Sequence, residues 1–150
     1  MVCPDLQGDA ERIQQILLNM VHNGLKHTEE GYVEIRHSCQ PVDRFYHYRL
    51  TFFVRDTGAG IPEDRLENIF ERQIPGDPVS TRRYGTSGIG LPLSRKLARL
   101  MRGDIQAASE EGAGSVFTFT VVLPAADALP DAAAEQTVPA FSGPMLIVED

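Results

Sequence analysis

Residues 9–27 carry an apolar stripe at helical spacing, and that stripe is the strongest constraint on the fold. Ile13, Ile16, Leu17, Met20, Val21 and Leu25 recur at i, i+3, i+4 and i+7, the pattern of a helix that buries one face. Asp9 is placed to cap the helix with Arg12 at the third helical position, and Gly31 follows it closely. The residues after it favour strands. Two are expected, Tyr32 to His37 and Arg44 to Arg55. The second is dense in β-branched and aromatic residues: Phe45, Tyr46, Tyr48, Thr51, Phe52, Phe53 and Val54. The polar stretch 38–43 reads as their hairpin connection.

Further along, Pro62 opens a short helix with Leu66, Ile69 and Phe70 as its apolar face. Residues 71–90 show no period and hold Pro75, Gly76, Pro78, Gly85, Gly88 and Gly90. A loop this long inside a compact domain is usually a lid or a binding loop. A helix is expected from Pro92 to Met101, with Leu93, Leu97, Leu100 and Met101 inward and Gly103 as its stop. Residues 104–108 and 115–123 read as strands joined at Gly112 and Gly114. After Pro124 the chain turns rich in Ala, Asp and Pro. The expected organisation is a domain over 1–124, a linker over 125–143, and the opening of another domain over 144–150.

The chain has 150 residues, 42% apolar and 23% charged, with a formal charge of −7. That balance suits one globular domain. It gives no whole-chain field for nucleic acid or for an anionic membrane, so a phosphate ligand needs local donors. No apolar run approaches the roughly 20 residues of a membrane span, and no secretory leader is visible. The expectation is therefore no nucleic-acid partner, no direct membrane contact, and a cytoplasmic setting, whether or not a longer parent is anchored in a membrane. Cys3 and Cys39 lack a CxxC partner and are expected to be two reduced thiols.

Three constellations carry chemistry. Asn19 and Asn23 share a helix face, with Lys26 and His27 one turn on. Amide oxygens suit Mg²⁺ and Lys26 suits a phosphate; the ordinary reading is a solvated face with cations at a helix C-terminus. Asp56-Thr57-Gly58-Ala59-Gly60 follows a strand. Its glycines let backbone approach a flat ligand closely and Asp56 can accept from an exocyclic amine, although Asp-Gly turns are common. Gly85-Thr86-Ser87-Gly88-Ile89-Gly90-Leu91 runs into a helix, whose first N–H groups can cradle phosphate, with Arg82 and Arg83 just upstream. It lacks the Gly-Lys-Ser/Thr of a P-loop and the βαβ context of a dinucleotide fingerprint. The ordinary reading is a capped flexible loop.

Taken in order, these motifs resemble those of the GHKL ATPase superfamily, which includes gyrase, heat-shock chaperone, histidine kinase and MutL proteins. The histidine kinase catalytic domain is the nearest match within it. Its asparagine box looks like 19–28, its first glycine box like Asp56 to Gly60, its phenylalanine box like Ile69-Phe70-Glu71, and its second glycine box like Gly85 to Leu91. The family's later glycine-rich hairpin resembles Glu111 to Phe119, and its closing Leu-Pro resembles Leu123-Pro124.

The resemblance implies a two-layer α/β sandwich, a mixed sheet covered on one face by helices, with ATP and Mg²⁺ as ligands. It implies that Asn23 holds Mg²⁺, Lys26 contacts phosphate, His27 lies beside the adenine, Asp56 reads the adenine, and Ile61 belongs to the ATP-binding set. Gly58, Gly60 and Phe70 would belong to the same pocket, and Arg82, Arg83, Gly85, Thr86, Ser87, Gly88, Ile89, Gly90 and Leu91 to its phosphate side and lid. Asn19 stands where hydrolysing members carry a glutamate base. A neutral amide cannot take a proton from water, which favours phosphoryl transfer to a partner. Departures from the pattern are His27 for an aromatic, Gly24 for Ala, Thr86 for Gly, and Gln73-Ile74 for an aromatic. None of His22, His27, His37 and His47 has the context of the family's phosphoacceptor. The implied partners are therefore a separate phosphoacceptor histidine domain, homodimeric in the parent, and a receiver domain, whose first strand Met145 to Asp150 resembles. A hydrolysing ATPase module and an ATP-binding pseudokinase remain the alternatives.

Overall fold

A computed structural model describes residues 3–43, 46–71, 90–128 and 148–149. Helix α1 spans Ala10–His27. The Asp9 side chain caps it, accepting from the Arg12 N–H at 3.1 Å and satisfying one of the donors a helix start leaves free. Strands β1 (Tyr32–Pro41) and β2 (His47–Asp56) follow. Their hairpin pairs Val33 with Asp56 and Pro41 with Tyr48, so β1 runs well past the expected His37 and the turn is shorter than expected. Pro62 caps the short helix α2, Glu63–Leu66. Helix α3 spans Gly90–Leu100, opening two residues before Pro92, which fits its first turn because no N–H is needed there. Strands β3 (Asp104–Glu110) and β4 (Gly114–Pro124) complete the main sheet.

The sheet order is β3-β4-β2-β1, and a two-residue strand β5, Val148–Glu149, lies on the outer edge of β1. Every described pairing is antiparallel, which corrects the expectation of a mixed sheet. The physical reason lies in the crossover. The connection through α2 and α3 does return β3 in the direction of β2, but β4 inserts between them, pairing Asp56 with Ser115 on one side and Glu110 with Gly114 on the other. The α/β two-layer arrangement itself is as expected.

One face of the sheet meets the helices. Val33, Val54, Ile105, Phe117, Phe119, Val121 and Leu123 are buried there with Ile16 and Met20 of α1 and Ala98 of α3. Phe52 stacks on Phe119 with centroids 5.8 Å apart. Each such large side chain contributes about 1.5–3 kcal/mol by leaving water. Three inward expectations are corrected. Leu25 is exposed and Gly24 is buried instead. The helix comes so close to the sheet that a Cβ on Gly24 would lie 3.2 Å from a Val33 methyl. Leu93 and Leu100 are likewise exposed, because α3 presents its small residues, Ser94 and Ala98, to the interior.

The N-terminal segment returns alongside the end of β4. Leu6 bridges Ala125, the Gln7 N–H donates to the Pro124 carbonyl at 2.9 Å, and the Ala126 N–H donates to the Asp5 carbonyl at 2.7 Å. Cys3 and Cys39 form a disulfide with Cα atoms 5.8 Å apart, within ordinary bridging distance. This corrects the expectation of two reduced thiols: a separation of 36 residues hid a proximity created by chain return. Ala125 is buried, so packing extends just past Pro124 into residues expected as linker.

Candidate functional site

The end of β2, the turn after it and the last turns of α1 form one wall. Asp56 closes β2 and is 4% exposed. Its carboxylate accepts from the Gly58 N–H at 3.0 Å and from the Ser115 N–H. Burial raises its pKa above the usual carboxylate range, and those two N–H groups and His27 only partly offset this. His27 is half-buried. Burial, then neighbouring Lys26, lower its pKa, while Asp56 pulls it back up. Its carbonyl accepts from the Ala59 N–H at 3.3 Å. A Cβ on Gly58 would sit 2.1 Å from that carbonyl oxygen, so glycine is needed there for close approach. Gly60 adopts φ +72, and a Cβ on it would meet the Glu110 carbonyl oxygen at 2.1 Å.

A second tier lies behind the turn. The Ile61 N–H donates to Ser109 Oγ at 2.7 Å, and Ser109 Oγ also contacts the Gly114 carbonyl and Ser115 Oγ, each at 2.9 Å. Sequence reasoning missed Ser109 and Ser115. The available signal was their position on either side of the Gly112 and Gly114 turn.

The other wall is α1 against α3. Asn19 is half-buried, and its Nδ2 donates to the buried Ser94 Oγ at 2.7 Å. A Cβ on Gly90 would collide with Asn19 Oδ1 at 2.6 Å. Asn23 sits one turn further along α1, half-buried, and Lys26 is exposed. Phe70 is held between two partners: its ring stands edge-on to Phe117 at 6.5 Å, and the Arg95 guanidinium lies over it at 4.6 Å. Arg95 in turn pairs with Asp104 at 3.0 Å. Leu91 packs on the core from the first turn of α3. Arg82, Arg83, Gly85, Thr86, Ser87, Gly88 and Ile89 lie outside the described residues. A groove of about 420 Å³ runs between α1 and α3; of the expected site residues, Asn19 and Gly90 line it.

A family profile described as histidine kinase-, DNA gyrase B- and HSP90-like ATPase matches residues 8–125. The chain belongs to this ATPase family. Several curated relatives carry the names of sensor proteins or histidine kinases. It is 40% identical over 145 residues to the aerobic respiration control sensor protein ArcB of Escherichia coli, covering 95% of this chain and 18% of that protein. It is 38% identical over 116 residues to the autoinducer 2 sensor kinase/phosphatase LuxQ of Vibrio vulnificus, covering 77% and 14%. It is 41% identical over 125 residues to hybrid signal transduction histidine kinase K of Dictyostelium discoideum, covering 79% and 10%. The chain thus spans less than a fifth of the length of each of these relatives. A solved structure, full-length ShkA in complex with AMPPNP, superposes with a TM-score of 0.65 at 32% identity, covering 84% of this chain and 25% of that one. No described helix is long and apolar enough to cross a membrane.

Proposed function

We propose that this chain binds Mg²⁺-ATP and delivers the γ-phosphoryl group to a histidine on a separate phosphoacceptor module. The observation that carries the reading is Asp56. A carboxylate almost wholly out of water, fixed by two backbone N–H groups, is a preset acceptor for the exocyclic amine of adenine. Burying a carboxylate whose cost His27 and two backbone N–H groups only partly offset is more than a structural turn would require. That ShkA, a relative at 32% identity, holds an ATP analogue supports the same reading.

The donor set suits the ligand. Among the described residues no three His, Cys, Asp or Glu side chains cluster as metal ligands. A hard cation here would rest on the Asn23 amide oxygen together with phosphate oxygens and water, which suits Mg²⁺ because it prefers hard oxygen ligands and keeps several of its waters. When bound, the metal neutralises phosphate charge. The chain's own residues would do the rest. Asp56 and the Gly58 to Ile61 turn orient the base, with His27 beside it. Lys26 offsets phosphate charge, and the first N–H groups of α3 at Gly90 and Leu91 add donors. Positioning and charge neutralisation are most of what phosphoryl transfer needs. Asn19 has no basic group for activating water, so transfer is favoured over hydrolysis. The receiver and phosphoacceptor partners rest on the hybrid kinase relatives, and the reading of 144–150 as a receiver opening rests on its sequence.

Thermal unfolding with a non-hydrolysable ATP analogue tests this. Ligand at a hundredfold its Kd adds about 2.7 kcal/mol, which is roughly 5–11 °C for a chain of this size. A Mg²⁺-dependent rise in wild type that Asp56→Asn abolishes is the expected result. No rise in wild type would overturn the proposal.

A further inference from the structure

Ser94 has no role in the site as described so far, yet it is one of three buried polar residues among those described, the others being Asp56 and Ser115. It faces α1 from one turn inside α3, and its Oγ accepts from Asn19 Nδ2 at 2.7 Å. Gly90, four residues earlier on the same face of α3, meets the same side chain. A Cβ there would lie 2.6 Å from Asn19 Oδ1 and 2.9 Å from Nδ2. Gly90 therefore leaves space for the amide and Ser94 supplies its hydrogen bond. The two residues act together on one rotamer of Asn19.

We infer that Ser94 is a positioning residue, which holds the Asn19 amide against the first turn of α3 and so fixes where its remaining hydrogen-bonding capacity points. A primary amide offers two donor hydrogens and two acceptor lone pairs. Ser94 engages one hydrogen. The rest stays with the amide beside Gly90, in the first described turn of α3. Without the hydroxyl, the Asn19 side chain has no described partner in α3 and regains its rotamers. This inference rests on the proposed nucleotide site, because the end of α3 beside Asn19 is the proposed phosphate side.

Burial alone would make Ser94 a small spacer between helices, and the test separates the two roles. The full chain is compared with Ser94→Ala and Ser94→Thr, which keeps a hydroxyl. Affinity for a non-hydrolysable ATP analogue is measured calorimetrically with Mg²⁺ and with chelator. In parallel, the Asn19 side-chain amide is followed by NMR, assigned by its absence in Asn19→Asp. Loss of one net hydrogen bond corresponds to about a fivefold effect. The expected result is that Ser94→Ala weakens the Mg²⁺-dependent part of binding about fivefold and leaves chelator binding unchanged, with Ser94→Thr restoring it. Its Asn19 amide protons also lose protection from exchange. If Ser94→Ala lowers only the melting temperature and keeps the full Mg²⁺ dependence, Ser94 is a spacer and the inference is overturned. If wild type binds no analogue, the proposed function fails and this inference falls with it. If wild type binds but its Asn19 amide exchanges freely, only this inference fails.

Discussion

Gly60 and Gly112 both sit at positive φ, +72 and +82, but they differ in what surrounds them. A Cβ added to Gly112 meets nothing within 4 Å, whereas one added to Gly60 meets the Glu110 carbonyl oxygen at 2.1 Å and its carbon at 2.8 Å. Alanine at Gly112 therefore incurs only the left-handed backbone penalty of about 1–2 kcal/mol, reduced by about 0.4–1 kcal/mol through the stiffer unfolded chain. Alanine at Gly60 incurs the same penalty and must also push the turn off the β3–β4 hairpin. The hydrogen bonds that join them are Ile61 N–H to Ser109 Oγ and Gly112 N–H to the Ala59 carbonyl, both 2.7 Å. Weakening both adds about 1 kcal/mol each. Gly112→Ala should thus cost about 0.5–1 kcal/mol and Gly60→Ala about 3 kcal/mol by the sum of those terms. Urea unfolding of the two variants and wild type gives the difference directly, provided the slope is unchanged. Equal losses, within about 0.5 kcal/mol, would refute the claim that the turn is held by contact with the hairpin rather than by its own conformation.

Other outcomes follow from the same structure. Asp56 has a raised folded pKa, so its contribution is full below the unfolded pKa and is lost as pH rises through the folded value. Asp56→Asn should flatten that decline, leaving the ligand-free protein at least as stable at neutral pH while abolishing the nucleotide-induced rise; a destabilised ligand-free variant would count against this. Asp104 has the opposite sign. Despite some burial, Arg95 and Arg99 lower its pKa, so its stabilisation is present above the unfolded pKa and is lost as pH falls through the folded one. Asp104→Asn should cost about 0.5–1 kcal/mol near neutrality, because the pair is partly exposed, and nothing in strong acid, as a pH series of urea midpoints would show. Cys39→Ser should add a free thiol at Cys3. With the bridged positions separated by 36 in sequence, it should lower stability by up to about 4 kcal/mol on chain-entropy reasoning; an unchanged urea midpoint would count against it.

The helix of residues 10–27 was legible from its 3.6-residue apolar period, and the second strand after it from its density of β-branched and aromatic residues. Asp9 was legible because capping is a local affair. Contacts between distant segments were not. Nothing at Ser94 marks it as the partner of Asn19, 75 positions away, and nothing local to Cys3 points to Cys39. The exposure of Leu25 shows the limit of periodicity. A stripe at helical spacing says which face is apolar, but Gly24 is buried against the sheet, where the absence of a side chain lets Val33 come near. The interposed β4 is a similar case: the order of elements predicts which way β3 runs, but not which strand lies beside it.

The antiparallel contact between residues 5–7 and 124–126 has a mechanical consequence. Chain arriving at Asp5 and chain leaving at Ala126 pass through the same corner of the domain, linked by 2.7 and 2.9 Å hydrogen bonds. Tension applied from both sides would open those bonds one after another, as a zipper opens, instead of shearing them together. The Cys3–Cys39 bridge lies ahead of this seam and carries the load from the amino side into β1. A pull on the oxidised domain would therefore strain the sheet edge before the seam, and a pull on the reduced domain would unzip the seam first.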